Sequence, residues 1–375
     1  MQKKIKVLHI CDKFSVGGSS IHGVGRLFSW WFPRFDDARF DLVVAGLRGE
    51  DQGSQGLRDE GLNVRTLNKG KFDLTTLNAV VALIKEEKPD LVHLHGYGAT
   101  VFGIPAGIIT KTKIILHEHF VDPVYPSYQK IIDFFLCRKA AISIANCAAV
   151  EDFMVESRSV SRSKTKVVFN GVPLEEFQRA EPSDIQNEKS KWGIPEGYEI
   201  VATVGRLDEQ KGNTYFLDAA KIILDQGLKI KFMVVGDGPL MEELKEKAVK
   251  LGIDNDLVFA GYQENISLIQ SIFDIQVIPS LWEGTTLTVF EAMSVGVPLV
   301  STDVDGLGEV LVNEVNALTV PSASGEALAK AIITLIEQPG LKAALSVQAK
   351  KDVNNYSIQG TVDNLQNIYM ELLGK

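Results

Sequence analysis

Short continuous apolar runs alternate with helix-periodic segments along the whole of this chain, and that alternation leaves few folds open. KIKVLHIC, FDLVVAG, LVHLH, KIILH, AISIA and KVVFN occupy the first half; EIVATVG, KFMVVGDG, LVFAG, IQVIPS, PLVSTD and ALTVP occupy the second. They do not alternate apolar with polar, so they read as strands covered on both faces, as in parallel sheets. Between them LNAVVALIKEEK, YFLDAAKIILDQG, MEELKEKAVKLG and LAKAIITLIEQPG carry helical periodicity. The pattern is βα repetition twice over, hence an α/β protein of two doubly wound sheets. Its 375 residues, 45% of them apolar, are enough for two interiors. The polar stretch 175–197 interrupts the rhythm, which places one domain at 1–174 and another at 198–355, with the last helical pattern, about 356–375, expected to return to the first. Facing sheets would form a central cleft, with ligands beyond the carboxyl ends of the strands.

IPSLWEGTTLTVFE, residues 278–291, sets Glu283 and Glu291 on either side of a strand-to-helix turn opened by Gly284. A helix entered near Leu287 aims its free N–H groups at an anion-sized space. VGRLDEQKG brings Gly205, Arg206 and Lys211 past another strand end, and Gly17-Gly18 follows the first strand. Carboxylates grip hydroxyls, cations grip phosphates, and glycines let backbone approach a ligand; together they ask for a sugar nucleotide. Breaking its anomeric carbon–phosphate bond loads charge on the diphosphate, which a metal or fixed Arg, Lys and N–H groups can meet. Arg206 would chelate phosphate oxygens with its planar fork while Lys211 acts as a point charge. Asp303-Val304-Asp305 has the form of a metal-binding D-x-D, yet short Asp-rich turns are common for capping reasons and it reads as a decoy. His117 and His119 could converge on an ion from an extended segment, but no third ligand has helpful spacing, so no metal is expected.

All six histidines fall in the first 119 residues. His95, with Gly96 after it, and His117 and His119 come at or past strand ends, on the rim where imidazole can bond a hydroxyl or take a proton. Gly23-Val24-Gly25 and Gly236-Asp237-Gly238 lack the third glycine of a dinucleotide fingerprint, since Phe28 and Met241 stand in its place. Phe28, Trp30, Trp31, Phe32 and Phe35, beside Arg26 and Arg34, read as a buried helix or as a membrane-interface stripe.

No apolar run reaches membrane-spanning or secretory-signal length. Cys11, Cys137 and Cys147 form no C-x-x-C pair and fit reduced thiols, so the expected location is cytoplasmic, with contact at the inner membrane face left open. The net charge of −9 is uneven: 23 basic residues stand against 18 acidic up to residue 172, and 16 against 30 beyond it. That places an anionic partner, a membrane surface or a lipid-linked acceptor, on the N-terminal half, or marks a solvated face; no nucleic-acid partner is expected.

In order, Gly17-Gly18, HLHGYG, ILHEHF, VVFNGVPLEEF, VGRLDEQKG, VVGDGPL, VFAGY and EGTTLTVFEAMSVGVPLVSTDVDGLGEV resemble the retaining, nucleotide-sugar-dependent glycosyltransferases of family 4 over nearly the whole chain. The resemblance implies the GT-B fold, two doubly wound Rossmann-like domains facing across a central cleft. It implies that Arg206 and Lys211 bind the diphosphate, with Gly18 a backbone donor to it. Glu291 would hold the ribose and Glu283 the donor sugar. Thr285, Thr286 and Leu287 would meet phosphate or sugar, Tyr262 the base, and His117 the transferred sugar near its reacting carbon. Transfer would retain configuration by front-side attack assisted by the leaving phosphate, without metal or cofactor. Where the family has a glycine pair after PLVSTDV this chain has Asp305-Gly306, which puts a carboxylate near the site. The donor is expected to be a UDP-sugar ahead of GDP-mannose, the acceptor a glycan, lipid-linked or small molecule, and the setting cell-envelope or polysaccharide synthesis. A nucleotide-sugar epimerase of this fold, or a binding protein without catalysis, stays open.

Overall fold

A computed structural model describes residues 3–15 and 23–375. The chain forms two compact units, residues 1–170 with 358–375, and residues 171–357. The first unit contains strands β1 (Ile5–Cys11), β2 (Phe40–Gly46), β3 (Val64–Thr66), β4 (Leu91–His95), β5 (Lys113–Glu118), β6 (Ile142–Ala145) and β7 (Thr165–Val167). They make one parallel sheet in the order β3-β2-β1-β4-β5-β6-β7. The second unit contains β8 (Glu199–Val204), β9 (Ile230–Val235), β10 (Leu257–Gly261), β11 (Ile275–Ile278), β12 (Leu299–Thr302) and β13 (Leu318–Val320), parallel in the order β10-β9-β8-β11-β12-β13. Each apolar run named above overlaps a strand; β3, three residues at an edge, did not stand out in the sequence.

Strand alternation sorts the first sheet into two faces. Leu8 and Ile10 of β1 and Val92 and Leu94 of β4 pack with Val80, Ile84 and Ile104 on one face. His9, His93 and His95, the residues between, therefore point to the other. Helix Gly23–Trp31 covers that other face, with Phe28, Trp30 and Trp31 buried, so the aromatic run belongs to the core. Helix Ile358–Leu373 presents Ile358, Val362, Leu365, Ile368 and Tyr369 inward, a stripe at helical spacing. Thr361 Oγ1 donates to the Phe169 carbonyl at 2.9 Å, and Tyr369 Oη meets His93 Nδ1 at 2.7 Å.

Residues 175–197 are not a linker between the units. They contain helix Pro182–Lys191 and belong to the second unit, where Ala180 N donates to Ser271 Oγ at 2.9 Å and Ser267 Oγ to the Gln178 carbonyl at 2.9 Å.

Arg158 lies fully buried in the first unit, bonding Asp133 Oδ2 through Nε at 2.6 Å and Glu118 through NH1. Tyr125 Oη donates to the same Asp133 oxygen, and Arg158 NH2 reaches Thr100 Oγ1 at 3.3 Å. Burial raises the Glu118 carboxyl above its ordinary value although the guanidinium opposes it. Deleting the cation would strand two carboxylates in the interior. Arg158→Met is expected to cost about 3–5 kcal/mol of stability, read from urea denaturation.

Candidate functional site

Each sheet reverses its strand order once, between β1 and β4 and between β8 and β11. Such reversals open a crevice beyond the carboxyl ends of the two strands. In the second unit that place is occupied by the loop after β8, bearing Gly205, Arg206 and Lys211, and the loop after β11, bearing Glu283, Gly284 and Thr285. Two glycines let the backbones meet there. Gly212 has φ +60°, and a Cβ on it would stand 2.0 Å from the Pro279 carbonyl oxygen. Gly236, at φ +130°, would put a Cβ 1.9 Å from that of Gly205.

Glu283 is the hub of this region and is buried. Its carboxylate accepts from Lys211 Nζ, from Ser280 Oγ at 2.9 Å and from Gln210 Nε2 at 3.1 Å. Lys211 Nζ also lies 3.5 Å from Thr286 Oγ1, the residue that opens helix Leu287–Val295. Thr286, at its N-cap, makes no side-chain capping bond and the first turn carries no acid, so the helix's N-terminal field faces the lysine side of the loop. Gly205, Lys211, Asn213, Ser280 and Thr286 line one small recess. Arg206 is half exposed, 3.5 Å from Asp208 Oδ2. Glu291 is buried on the same helix, while Tyr262 lies exposed after β10. The structure thus gathers Gly205, Lys211, Glu283 and Thr286, and leaves Arg206 on the surface of the same loop.

Asp305 has a structural duty. Its Oδ2 accepts the Glu283 backbone N–H at 3.1 Å, while Gly306 N donates to the Glu283 carbonyl at 3.4 Å. The Asp305 carboxylate therefore ties the loop after β12 to Glu283. Gln210 and Ser280, the other holders of Glu283, were not singled out in the sequence, although both lie inside the motifs named above; the glutamine sits 73 residues from its partner.

Gly17 and Gly18 lie outside the described residues. The histidines are placed differently from the sequence expectation. His95 and His117 are not on an open rim but inside, His117 fully buried, and His119 is partly covered. His95 is also the third ligand that spacing failed to supply: nitrogens of His95, His117 and His119 all lie within 4.8 Å of one another, as do those of His9, His93 and His95. Asp303 and Asp305 form no such group among the described residues. Parallel register explains the gathering, since His9 lies beside His93 and His95 beside His117 on neighbouring strands. Gly96, next to His95, has φ +77° and opens helix Gly96–Thr110.

Two family profiles account for the two halves of the sequence. Glycosyltransferase Family 4 matches residues 25–176, and glycosyl transferases group 1 matches residues 184–352. The chain belongs to glycosyltransferase family 4. This glycosyltransferase is 27% identical over 315 residues, 80% of either chain, to the UDP-Gal:alpha-D-GlcNAc-diphosphoundecaprenol alpha-1,3-galactosyltransferase of Escherichia coli. It is 26% identical to the alpha-D-kanosaminyltransferase of Streptomyces kanamyceticus over 75% of its own length and 77% of the relative's. The crystal structure of Anabaena HepE in complex with UDP superposes with TM-score 0.85 at 20% identity, covering 98% of this chain and 100% of that one. The fold is GT-B.

The glycosyltransferase keeps its buried imidazoles neutral: burial draws His9 down to about 3, and burial followed by neighbouring rings draws His93, His95 and His117 well below their ordinary value. The unfolded chain therefore binds more protons than the folded one at acid pH, and stability, full above about pH 6.5, must fall as pH drops toward the folded values. Each such ring contributes a loss of up to about 1.4 kcal/mol per pH unit in that window. The urea midpoint is expected to decline steadily from pH 6.5 to 4.5; a flat midpoint would show that the rings ionise without cost.

Proposed function

We propose that this chain transfers a sugar from a nucleotide diphosphate donor, a UDP-sugar ahead of GDP-mannose, to a glycan, lipid-linked or small-molecule acceptor with retention of configuration. The loop of Arg206 and Lys211 facing an uncapped helix N-terminus at a strand reversal is the observation that carries this reading. A diphosphate seated there would draw Lys211 from Glu283, and Arg206 would fold over from the surface. Glu283, released, is a carboxylate held by Ser280 and Gln210 and ready for sugar hydroxyls. Glu291 would take the ribose and Tyr262 the base; His117, fully buried in the first unit, would have to be uncovered to meet the transferred sugar. With two cations and main-chain amides to meet the leaving charge, the chemistry proposed requires no metal or other cofactor. The UDP-Gal in the name of the E. coli relative and the UDP in the HepE structure favour a uridine donor.

Two measurements test this. UDP is expected to raise the melting temperature without added magnesium; a shift that demands a divalent ion would return attention to Asp303 and Asp305. Arg206→Ala with Lys211→Gln should cut transfer by roughly 100-fold or more while leaving circular dichroism unchanged.

A lipid-linked acceptor, named for the E. coli relative, needs a protein that meets a membrane. Among the described residues no helix is long and apolar enough to cross one. Helix Ser127–Leu136, however, exposes Tyr128, Ile131, Phe134 and Phe135 along one stripe, Phe135 at 66%, with Lys130, Arg138 and Lys139 exposed around it. This basic, amphipathic face suits the anionic inner surface of a cell membrane. Vesicles containing anionic lipid should pull down the protein, and Ile131→Glu with Phe135→Glu should abolish pull-down while UDP binding persists.

A further inference from the structure

Six side chains of the first unit join end to end. His119 Nε2 lies 3.0 Å from His95 Nδ1, and His95 Nε2 lies 3.0 Å from His9 Nδ1. His9 Nε2 is 3.4 Å from Tyr369 Oη, the longest link, and Tyr369 Oη is 2.7 Å from His93 Nδ1. His93 Nε2 then reaches His117 Nδ1 at 3.1 Å. Beyond it His117 Nε2 is buried and has no hydrogen-bond partner among the described residues. Three strands, β1, β4 and β5, and the final helix are needed to assemble this row, and none of its inner members is required by the transfer chemistry set out above.

A neutral imidazole donates from one nitrogen and accepts at the other, and a tyrosine hydroxyl does both. In such a row, with the buried hydroxyl spending its own proton on one of its two imidazole neighbours, the sense of one hydrogen bond dictates the next. Only two uniform arrangements satisfy every link. In one, all five rings carry hydrogen on Nε2, the tyrosine donates to His93, and His117 Nε2 offers a donor. In the other, all carry it on Nδ1, the tyrosine donates to His9, and His117 Nε2 offers an acceptor.

We infer that His119, His95, His9, Tyr369, His93 and His117 form a proton relay that sets from the His119 end whether His117 Nε2 is a donor or an acceptor. Passing from the first arrangement to the second, a proton is supplied to His119 Nδ1, an atom as buried as His117 Nε2, each of the five links hands one proton on, and a proton leaves His117 Nε2 for the oxygen presented to it. The row is neutral before and after, so neither resting arrangement places a charge in the buried site. His9, His93, His95 and Tyr369 are positioning residues for His117. That the oxygen presented to His117 belongs to a sugar rests on the function proposed above; the relay itself does not.

Ring geometry speaks against the competing use of this cluster as a metal centre. A metal lies in the plane of each imidazole that binds it, because the lone pair does. His117 and His119 are stacked face to face at 4.1 Å and 27°, and His93 and His95 at 4.4 Å and 20°. Neither pair can aim two lone pairs at one ion.

The test is ¹⁵N NMR of the histidine rings in the intact protein, alongside Tyr369→Phe. Phenylalanine keeps the ring that stacks on Phe35 at 6.0 Å and removes only the hydroxyl in mid-row. In the unaltered protein His9, His93, His95, His117 and His119 are expected to share one tautomer; in the variant His93 and His117 should lose that agreement with the other three. Transfer by Tyr369→Phe should show kcat lowered roughly tenfold, the effect of one hydrogen bond, with donor KM unchanged. Mixed tautomers in the unaltered protein, tautomers indifferent to the hydroxyl, or a stoichiometric zinc ion in the purified protein would overturn the relay. Should no sugar nucleotide support transfer, the proposed function falls, and the tautomers still decide the relay.

Discussion

Lys211 and Glu283 hold one another across the strand reversal of the second sheet, and the local architecture is arranged around that pair. The lysine comes from the loop after β8 and the glutamate from the loop after β11. Asp305, from the loop after β12, grips the glutamate's backbone, so three loops share one anchor. A partly desolvated ion pair of this sort is poor evidence for stability. Its value lies in keeping two groups of opposite sign oriented and ready, each of which has a different natural partner in a phosphorylated sugar.

Strand identity was legible because parallel strands are covered on both faces and cannot hide a polar residue cheaply; continuous runs such as KFMVVGDG announce themselves. β3 escaped for the converse reason: Val64–Thr66 is a short edge strand with Arg65 facing water. The stretch 175–197 looked like a tether because its polar residues cover a helix packed by one face only, where Trp192 Nε1 turns back to Glu188 at 2.7 Å. Composition distinguishes poorly between a solvated helix and a linker. Arg158 left no trace in the sequence at all, since its burial depends on Asp133 and Glu118 arriving from other elements.

The histidines show where one-dimensional reading stops. Strand ends pointed to His95, His117 and His119 as rim residues, but their alternation with Leu94, Leu116 and other core positions, combined with in-register neighbours, turns them into the sheet's second interior face. His9 and His93 join only once β1 and β4 are known to be adjacent. Tyr369 joins only once the last helix is known to lie against that face. The cost of sheltering so many imidazoles is met by mutual hydrogen bonding instead of by solvent, and burial keeps the rings neutral.

Because residues 358–375 complete the unit that begins at the amino terminus, synthesis and folding are out of step in this protein. On the ribosome the second unit has all its residues before the first does. The first sheet must wait, with the face that Tyr369 will cover still open, until residues 358–375 have been made. Some 187 residues of the second unit, 171–357, must be made before the helix that covers that face.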